Sequence, residues 1–398
     1  MRFVIINTDY ANFLESLYEG TPELANASYE EQLAARNDSL FGMADFYSRN
    51  RRALGHDAID LHANNEPLQR AWAGERDIVI PHVEASSRRV LRRALRPFGV
   101  GVPARTWFER ILEAQVAELQ PDVLLVHDMS SIDPRFVAAL RAHAGMVVGQ
   151  HAATRLPHEP GALAVYDLVI SSFGPTIEWL RRAGVRAVLN RLAFEPIVLD
   201  ALPPIIEPTY DVTFVGSLYP GIHDSRIGLL ETLSEELGDR LSVWTPQSNL
   251  IQADSPLRGR MRGAAYGREM YSVLQASKVT LNEHGSIAPY ANNCRLYEAT
   301  GVGTALVTDM KPNLRDLFDV GKEVVSYSTP AECVAPVREL LDDGDPRSAI
   351  ARSGQRRTLG EHTYRRRVEE LVELIAADGS TLPFHGACPR GALAPLVP

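Results

Sequence analysis

Short apolar runs of strand length alternate with longer stretches of helical period along nearly the whole chain, and this alternation restricts the fold more than any other feature. Strands separated by helices pair in parallel through crossover connections. In the first half the strand-length runs are 2–7, 57–61, 122–127, 146–150, 167–171 and 185–189. Helical patterns at 28–54, 104–119, 134–144 and 174–183 lie between them. Val123-Leu124-Leu125-Val126 is apolar at every position, as suits a strand covered by helices on both faces. Residues 195–209 interrupt the rhythm: Pro196, Pro203, Pro204 and Pro208 remove backbone donors and bias their neighbours to extended conformations. The alternation then restarts, with strands at 211–216, 240–244, 278–282, 304–308 and 323–327. Helices are expected at 224–237, 267–276, 293–300, 330–342, 346–358 and 363–377.

The predicted fold is α/β, with two doubly wound, Rossmann-like domains over 1–195 and 210–362 facing across a cleft and joined by a proline-rich hinge at 196–209. Segment 363–398 adds a last helix and a tail. The helix carries Val368, Leu371, Val372, Leu374 and Ile375 at amphipathic spacing and is predicted to cross back onto the first domain. Ligands of such sheets bind beyond the carboxyl ends of the strands, where the strand order reverses, so the cleft is the expected site.

Composition narrows the function classes. A chain of 398 residues, 45% apolar, buries a sizeable core without disulfide or metal staples. The net charge of −9 argues against a dedicated nucleic-acid binder. Cys294, Cys333 and Cys388 are too widely spaced for a metal-ligand pair and form no even disulfide set, which suits a reducing compartment. The apolar run after Met1 is short for a signal peptide, and no run reaches the ~18 residues of a membrane span, so a cytoplasmic location is expected.

Two nucleotide signatures are missing. Asn7-Thr8-Asp9-Tyr10 stands where a G-x-G-x-x-G loop would follow the first strand, and Gly321-Lys322 has Asp316 where a Walker A glycine would be. Ordinary nicotinamide dehydrogenases and P-loop NTPases are therefore disfavoured.

The most informative stretch is 278–309, where a strand ends at Asn282-Glu283-His284-Gly285 and a helix opens near Asn293-Cys294-Arg295 and stops at Gly301/Gly303. A helix start offers unpaired N–H groups to an anion, and Arg295 adds a guanidinium fork. Glu298, one turn in, has the chemistry to accept hydrogen bonds from a ribose diol. The same residues also fit a local Arg295–Glu298 ion pair and glycines that only end a helix.

The run Asn293-x-Arg295-Leu296-Tyr297-Glu298-Ala299-x-Gly301-x-Gly303-x-Ala305-Leu306-Val307-Thr308-Asp309 resembles the corresponding segment of group 1 glycosyltransferases of the CgeB-like type. The resemblance continues through Asn313-Leu314, Leu317-Phe318, Gly321-Lys322-Glu323-Val324-Val325, Ser353-Gly354, Arg357, His362-Thr363-Tyr364 and Arg367, covering most of 211–376. It implies a GT-B enzyme with two Rossmann-like domains, transferring a sugar from a nucleotide-diphosphate donor held mainly by the second domain. By the same resemblance Glu298 binds the donor ribose, with Arg295, Asn293 and the Gly301–Gly303 turn near the nucleotide. Related retaining enzymes carry an acidic residue eight positions before that glutamate, where this chain has Tyr290. Stereochemistry is therefore left open, and Glu283 or His284 becomes a candidate for the donor sugar. The loop Gly216-Ser217-Leu218-Tyr219-Pro220-Gly221 and Arg226 are expected to face the diphosphate, the alternative being a solvated arginine in a connecting loop.

In the first domain His151 follows a buried strand and is the leading cleft-facing catalytic candidate, with Asp9 after the first strand as the second acid/base candidate. Asp343-Gly344-Asp345 reads as a helix-ending turn rather than a metal motif, and no essential metal or other cofactor is expected. Segment 87–98 places Arg88, Arg89, Arg92, Arg93 and Arg96 opposite Val90, Leu91, Leu95 and Phe98. It fits a solvated helix, steering of an anionic acceptor, or peripheral contact with the inner face of a membrane. The acceptor is not identified by the sequence. The alternatives to a transferase are a nucleotide-sugar epimerase or hydrolase, and a catalytically silent structural or binding protein on the same scaffold.

Overall fold

The computed structural model describes residues 1–79, 106–152, 158–284 and 289–379. The basic segment 87–98, Cys388 and the tail from 380 onward lie outside the described residues.

Six parallel strands form the first sheet: β1 (Arg2–Asn7), β2 (Asp57–His62), β3 (Val123–Val126), β4 (Met146–Gln150), β5 (Leu168–Ser171) and β6 (Ala187–Leu189), in the order β2-β1-β3-β4-β5-β6. The second contains β7 (Tyr210–Val215), β8 (Leu241–Trp244), β9 (Ser277–Asn282), β10 (Ala305–Asp309) and β11 (Val325–Tyr327), in the order β11-β10-β9-β7-β8, also parallel. The order reverses between β1 and β3 in one sheet and between β7 and β9 in the other. Those two points are where each sheet offers a ligand crevice. All four residues of β3 are buried, as the unbroken apolar run requires.

Helices cover both sheets. On the first sheet, among the described residues, they are α1 (Ala11–Gly20), α2 (Tyr29–Asp38), α3 (Phe46–Ala53), α4 (Glu66–Gly74), α5 (Trp107–Leu119), α6 (Pro134–Leu140) and α7 (Gly174–Arg182). They are followed by α8 (Ile197–Ala201), α9 (Asp224–Leu237), α10 (Gly267–Gln275), α11 (Arg295–Gly301), α12 (Pro330–Asp342), α13 (Gly344–Glu361) and α14 (Tyr364–Gly379). The last helix does cross back. Val368, Leu371 and Ile375 share one apolar cluster with Phe46 and Tyr47 of α3, and the Tyr364 ring meets Tyr47 edge-on at 5.0 Å. The crossing is pinned by backbone bonds on both sides of the turn, Phe194 N–H to His362 O (2.8 Å) and Tyr364 N–H to Phe194 O (3.1 Å).

Two expectations change. The single helical pattern at 28–54 breaks into α2 and α3, because Leu40, Gly42 and Ala44 take positive φ between them. The break is where the second domain docks: Arg268 N–H donates to Ser39 O (2.9 Å), and a Cβ at Gly267 would stand 1.9 Å from that oxygen. Glycine is therefore required at 267, where φ is also +49°. The hinge is also less extended than its prolines suggest, since α8 lies within it and buries Val198 completely. Asp343 caps α13, its carboxylate accepting from Asp345 N–H at 3.0 Å, which gives the Asp-Gly-Asp triplet a capping role.

Candidate functional site

The carboxyl ends of β7 and β9 bring most of the expected donor-side residues together. Arg226, in the first turn of α9, reaches back over both strands. Its Nη1–H donates to Ser217 O (2.9 Å), its Nη2–H to Glu283 O (2.7 Å) and its Nε–H to Glu283 Oε2 (3.3 Å). Ser225 Oγ–H donates to the other Glu283 oxygen at 3.0 Å. Burial pushes the Arg226 guanidinium below its ordinary value, and Glu283 opposes that shift. Arg226 is thus a held residue and not a solvated one. Three of its five N–H groups are engaged by these partners, which leaves two for a ligand.

Gly216 continues β7, donating its N–H to Trp244 O (3.0 Å), and Leu218 N–H is held by Gln247 Oε1 at 3.1 Å. The loop 216–218 is therefore fixed against the end of β8. Beyond it, a cleft of about 550 Å3 opens between α1 of the first domain (Asn12, Glu15) and Thr245, Ser248, Gly263 and Tyr266 of the second.

One strand further along, His284 Nδ1 stands 2.6 Å from Asp309 Oδ1, and Lys311 Nζ is 3.0 Å from the second Asp309 oxygen. Burial raises the Asp309 carboxyl, but His284 and Lys311 together hold it below its ordinary value. The His284 ring is only 1% exposed, so it ties β9 to β10 and presents little surface to a sugar. Asn293 pairs with Asn282 (Nδ2–H to Oδ1, 2.8 Å), and its Oδ1 accepts from Leu296 N–H at 3.3 Å, fastening the start of α11 to the end of β9.

In α11 the structure contains the ion pair: Arg295 Nη1 lies 2.8 Å from Glu298 Oε2, one turn apart. The remaining Arg295 nitrogens reach Val215 O (3.2 Å) and Met270 Sδ (3.2 Å), so the guanidinium is turned toward the protein and is no open fork for phosphate. Burial raises the Glu298 carboxyl, with Arg295 opposing. Gly301 is the last residue of α11 and Gly303 lies just before the amino end of β10, away from the carboxyl ends of the strands. A Cβ at Gly301 would meet the Phe194 ring at 2.4 Å, and Gly303, at φ +85°, ends the helix. Their role is close packing and helix termination, which corrects the expectation that they flank the nucleotide.

The first domain also divides its two candidates. Asp9 does not face the cleft. Its carboxylate contacts Arg36 at 2.5 Å and His62 Nδ1 at 3.0 Å with its side chain 1% exposed. Burial opposes its charge, but His62 and Arg36 hold the carboxyl well below the usual range. A carboxylate so fully committed has neither the basicity nor the reach of a general base. His151 is at the carboxyl end of β4 as expected, largely buried, with Nδ1 3.5 Å from Ser130 Oγ. Next to it Asp128 accepts from Thr8 Oγ–H (2.7 Å) and from the N–H groups of Ser130 and Ser131.

Sequence reasoning missed three contributors. Tyr10 is 72% exposed beside Phe41 at the end of β1, and Tyr290 and Asn292 join the domains. For Tyr10 the signal was an aromatic residue three positions past a strand end, which is not specific. Among the described residues, no three His, Cys, Asp or Glu side chains gather as a metal set, and no helix is long and apolar enough to cross a membrane.

Residues 226–373 match the sequence model of a glycosyl transferase-like family, a span of under half the chain. No curated protein matches the chain. Among solved structures the chain is similar to Anabaena HepE in complex with UDP and glucose (TM-score 0.59, 10% identity, 95% of this chain and 100% of that one). It is also similar to a glycosyltransferase from Rickettsia africae (TM-score 0.54, 9% identity, 96% and 100%) and to sucrose-phosphate synthase from Thermosynechococcus elongatus (TM-score 0.53, 12% identity, 96% and 100%). The architecture is GT-B.

Proposed function

We propose that the protein is a glycosyltransferase that moves a sugar from a nucleotide-diphosphate donor, seated on the second sheet, to an acceptor seated on the first. One observation carries this reading. The glycosyl transferase-like match at 226–373 covers the residues that meet at the ends of β7 and β9, with Arg226, Glu283, Asn293 and Glu298 among them. UDP-glucose is the first donor to try, because a structural neighbour was solved with it.

In this reading the two unengaged N–H groups of Arg226, with the backbone of Gly216 and Ser217, meet the diphosphate. A guanidinium held in place by Glu283 is already oriented when negative charge grows on the leaving group, so little reorganisation is needed during bond cleavage. Glu298 accepts from the ribose diol, and the cleft between α1 and Thr245 to Tyr266 leaves room for the base. His151 and Asp128 lie on the acceptor side. The diphosphate is neutralised without a metal, and the protein works in the cytoplasm.

Thermal shift across UDP-, GDP-, dTDP- and CMP-sugars tests the donor site, since a ligand at a hundred times its Kd stabilises by about 2.7 kcal/mol. Turnover is then read as nucleotide release with and without EDTA. A second reading, a silent binding protein, is favoured by one observation: Arg226, Arg295 and Lys311 each already face a carboxylate. Donor binding without nucleotide release under any acceptor mixture would select it.

A further inference from the structure

The segment Tyr290–Asn293 leads directly into α11 and alternates its attachments between the two domains. The Tyr290 ring meets Phe173 edge-on at 5.0 Å and lies over Gly174, where a Cβ would come within 2.9 Å of the phenol oxygen. Both are first-domain residues at the carboxyl end of β5. Ala291 turns the other way: Asn313 of the second domain takes both its backbone groups, accepting from its N–H (2.7 Å) and donating to its O (3.0 Å). Asn292 returns to the first domain, donating to Ala152 O at 2.9 Å beyond β4. Asn293 turns back to Asn282 and to the first turn of α11. The side chains of Tyr290 and Asn292 hold the first domain while the backbone of Ala291 and the side chain of Asn293 hold the second, so a four-residue strap grips two bodies at once.

We propose that Tyr290 and Asn292 are positioning residues that couple docking of the first sheet to the order of the helix bearing Arg295 and Glu298. Because the strap cannot leave Phe173 and Ala152 without pulling on Asn293, separation of the sheets loosens the first turn of α11. The α11 helix is seven residues long and has few internal bonds to hold it alone. Gly174 is the socket in this arrangement, and its lack of a side chain is what admits the Tyr290 phenol.

The inference uses the proposed donor site only for its consequence, so its test needs no ligand. Hydrogen exchange of the intact apo protein is measured at 295–301 and at Leu241–Trp244 of β8 in wild type, Tyr290→Ala, Asn292→Ala, Gly174→Val and Tyr290→Phe. Exchange at 295–301 should rise by about tenfold in the first three variants, as expected for losing an aromatic or polar tether. β8 should stay unchanged, and Tyr290→Phe, which keeps the ring on Phe173, should remain near wild type. Unchanged exchange at 295–301 in all three, or an equal rise in β8, overturns the proposal. If exchange changes as expected while none of the UDP-, GDP-, dTDP- and CMP-sugars binds or turns over, the strap stands and the glycosyltransferase reading fails. If a donor does bind, the variants should raise its KM severalfold with a smaller change in kcat, the split expected of lost ground-state positioning.

Discussion

Asp9 and Arg36 form a 2.5 Å ion pair beneath the carboxyl end of β1, with side chains only 1% and 4% exposed. His62 closes the other side of the carboxylate at 3.0 Å. A residue that sequence position marks for catalysis is here committed to holding β1, β2 and α2 together.

Removing that carboxylate should therefore cost stability. Asp9→Asn leaves Arg36 buried without its partner, and about 3–5 kcal/mol is expected from breaking such a pair. The Asp9 carboxyl lies below its ordinary value in the folded protein, because His62 and Arg36 outweigh burial. Its contribution is thus complete above the unfolded carboxylate range near pH 4 and is lost as pH falls through and below it. Urea midpoints of wild type and variant should converge in acid. A fully stable but inactive Asp9→Asn would return Asp9 to the active site.

Glu195, directly before the hinge, has the opposite sign. It is buried and accepts from Asn50 Nδ2–H at 2.7 Å, and burial raises its carboxyl from 4.5 to about 7. The folded state therefore favours the protonated form, so the contribution of Glu195 to stability is complete below pH 4.5 and is lost as pH rises through about 7. Glu195→Gln removes the titration while keeping an acceptor for Asn50. It should raise the Tm at pH 8 by a few degrees and change it little at pH 4.5. An equal shift at both pH values would show that Glu195 is not the titrating group.

Arg226 and Glu283 separate orientation from charge. Arg226→Lys keeps the charge but loses the fork that spans Ser217 and Glu283, so donor affinity should fall by roughly tenfold or more. Glu283→Gln keeps the shape and releases the guanidinium from its carboxylate, which should lower kcat more than donor affinity. Isothermal titration with UDP beside steady-state kinetics distinguishes the two effects. Unchanged affinity in Arg226→Lys would remove Arg226 from the diphosphate.

Glu298 must answer to both of its roles. Loss of its charge leaves Arg295 without a carboxylate and should lower the Tm. If it also accepts from the donor ribose, Glu298→Gln should weaken nucleotide binding by roughly tenfold to a hundredfold, since charge-assisted hydrogen bonds contribute about 1.5–3 kcal/mol each. Calorimetric titration decides: a lower Tm with an unaltered Kd would confine Glu298 to the helix.

The sequence alone determined the two parallel sheets, their strands to within one or two residues, the crossing of α14, and the strand ends at which a site would lie. These follow from local signals. Val123–Val126 is apolar on both faces, Val368, Leu371 and Ile375 share one helical stripe, and prolines punctuate the hinge. Tertiary structure decided the fate of the charges and breaks. Arg226 meets Glu283 across 57 residues, Asp9 meets Arg36 across 27, and Arg268 docks on Ser39 where one helical pattern breaks into α2 and α3. The division has a physical cause. Hydrophobic period is written within a few consecutive residues, whereas a buried charge is satisfied by whichever partner the chain brings within about 3 Å, and that partner is chosen only when the elements pack.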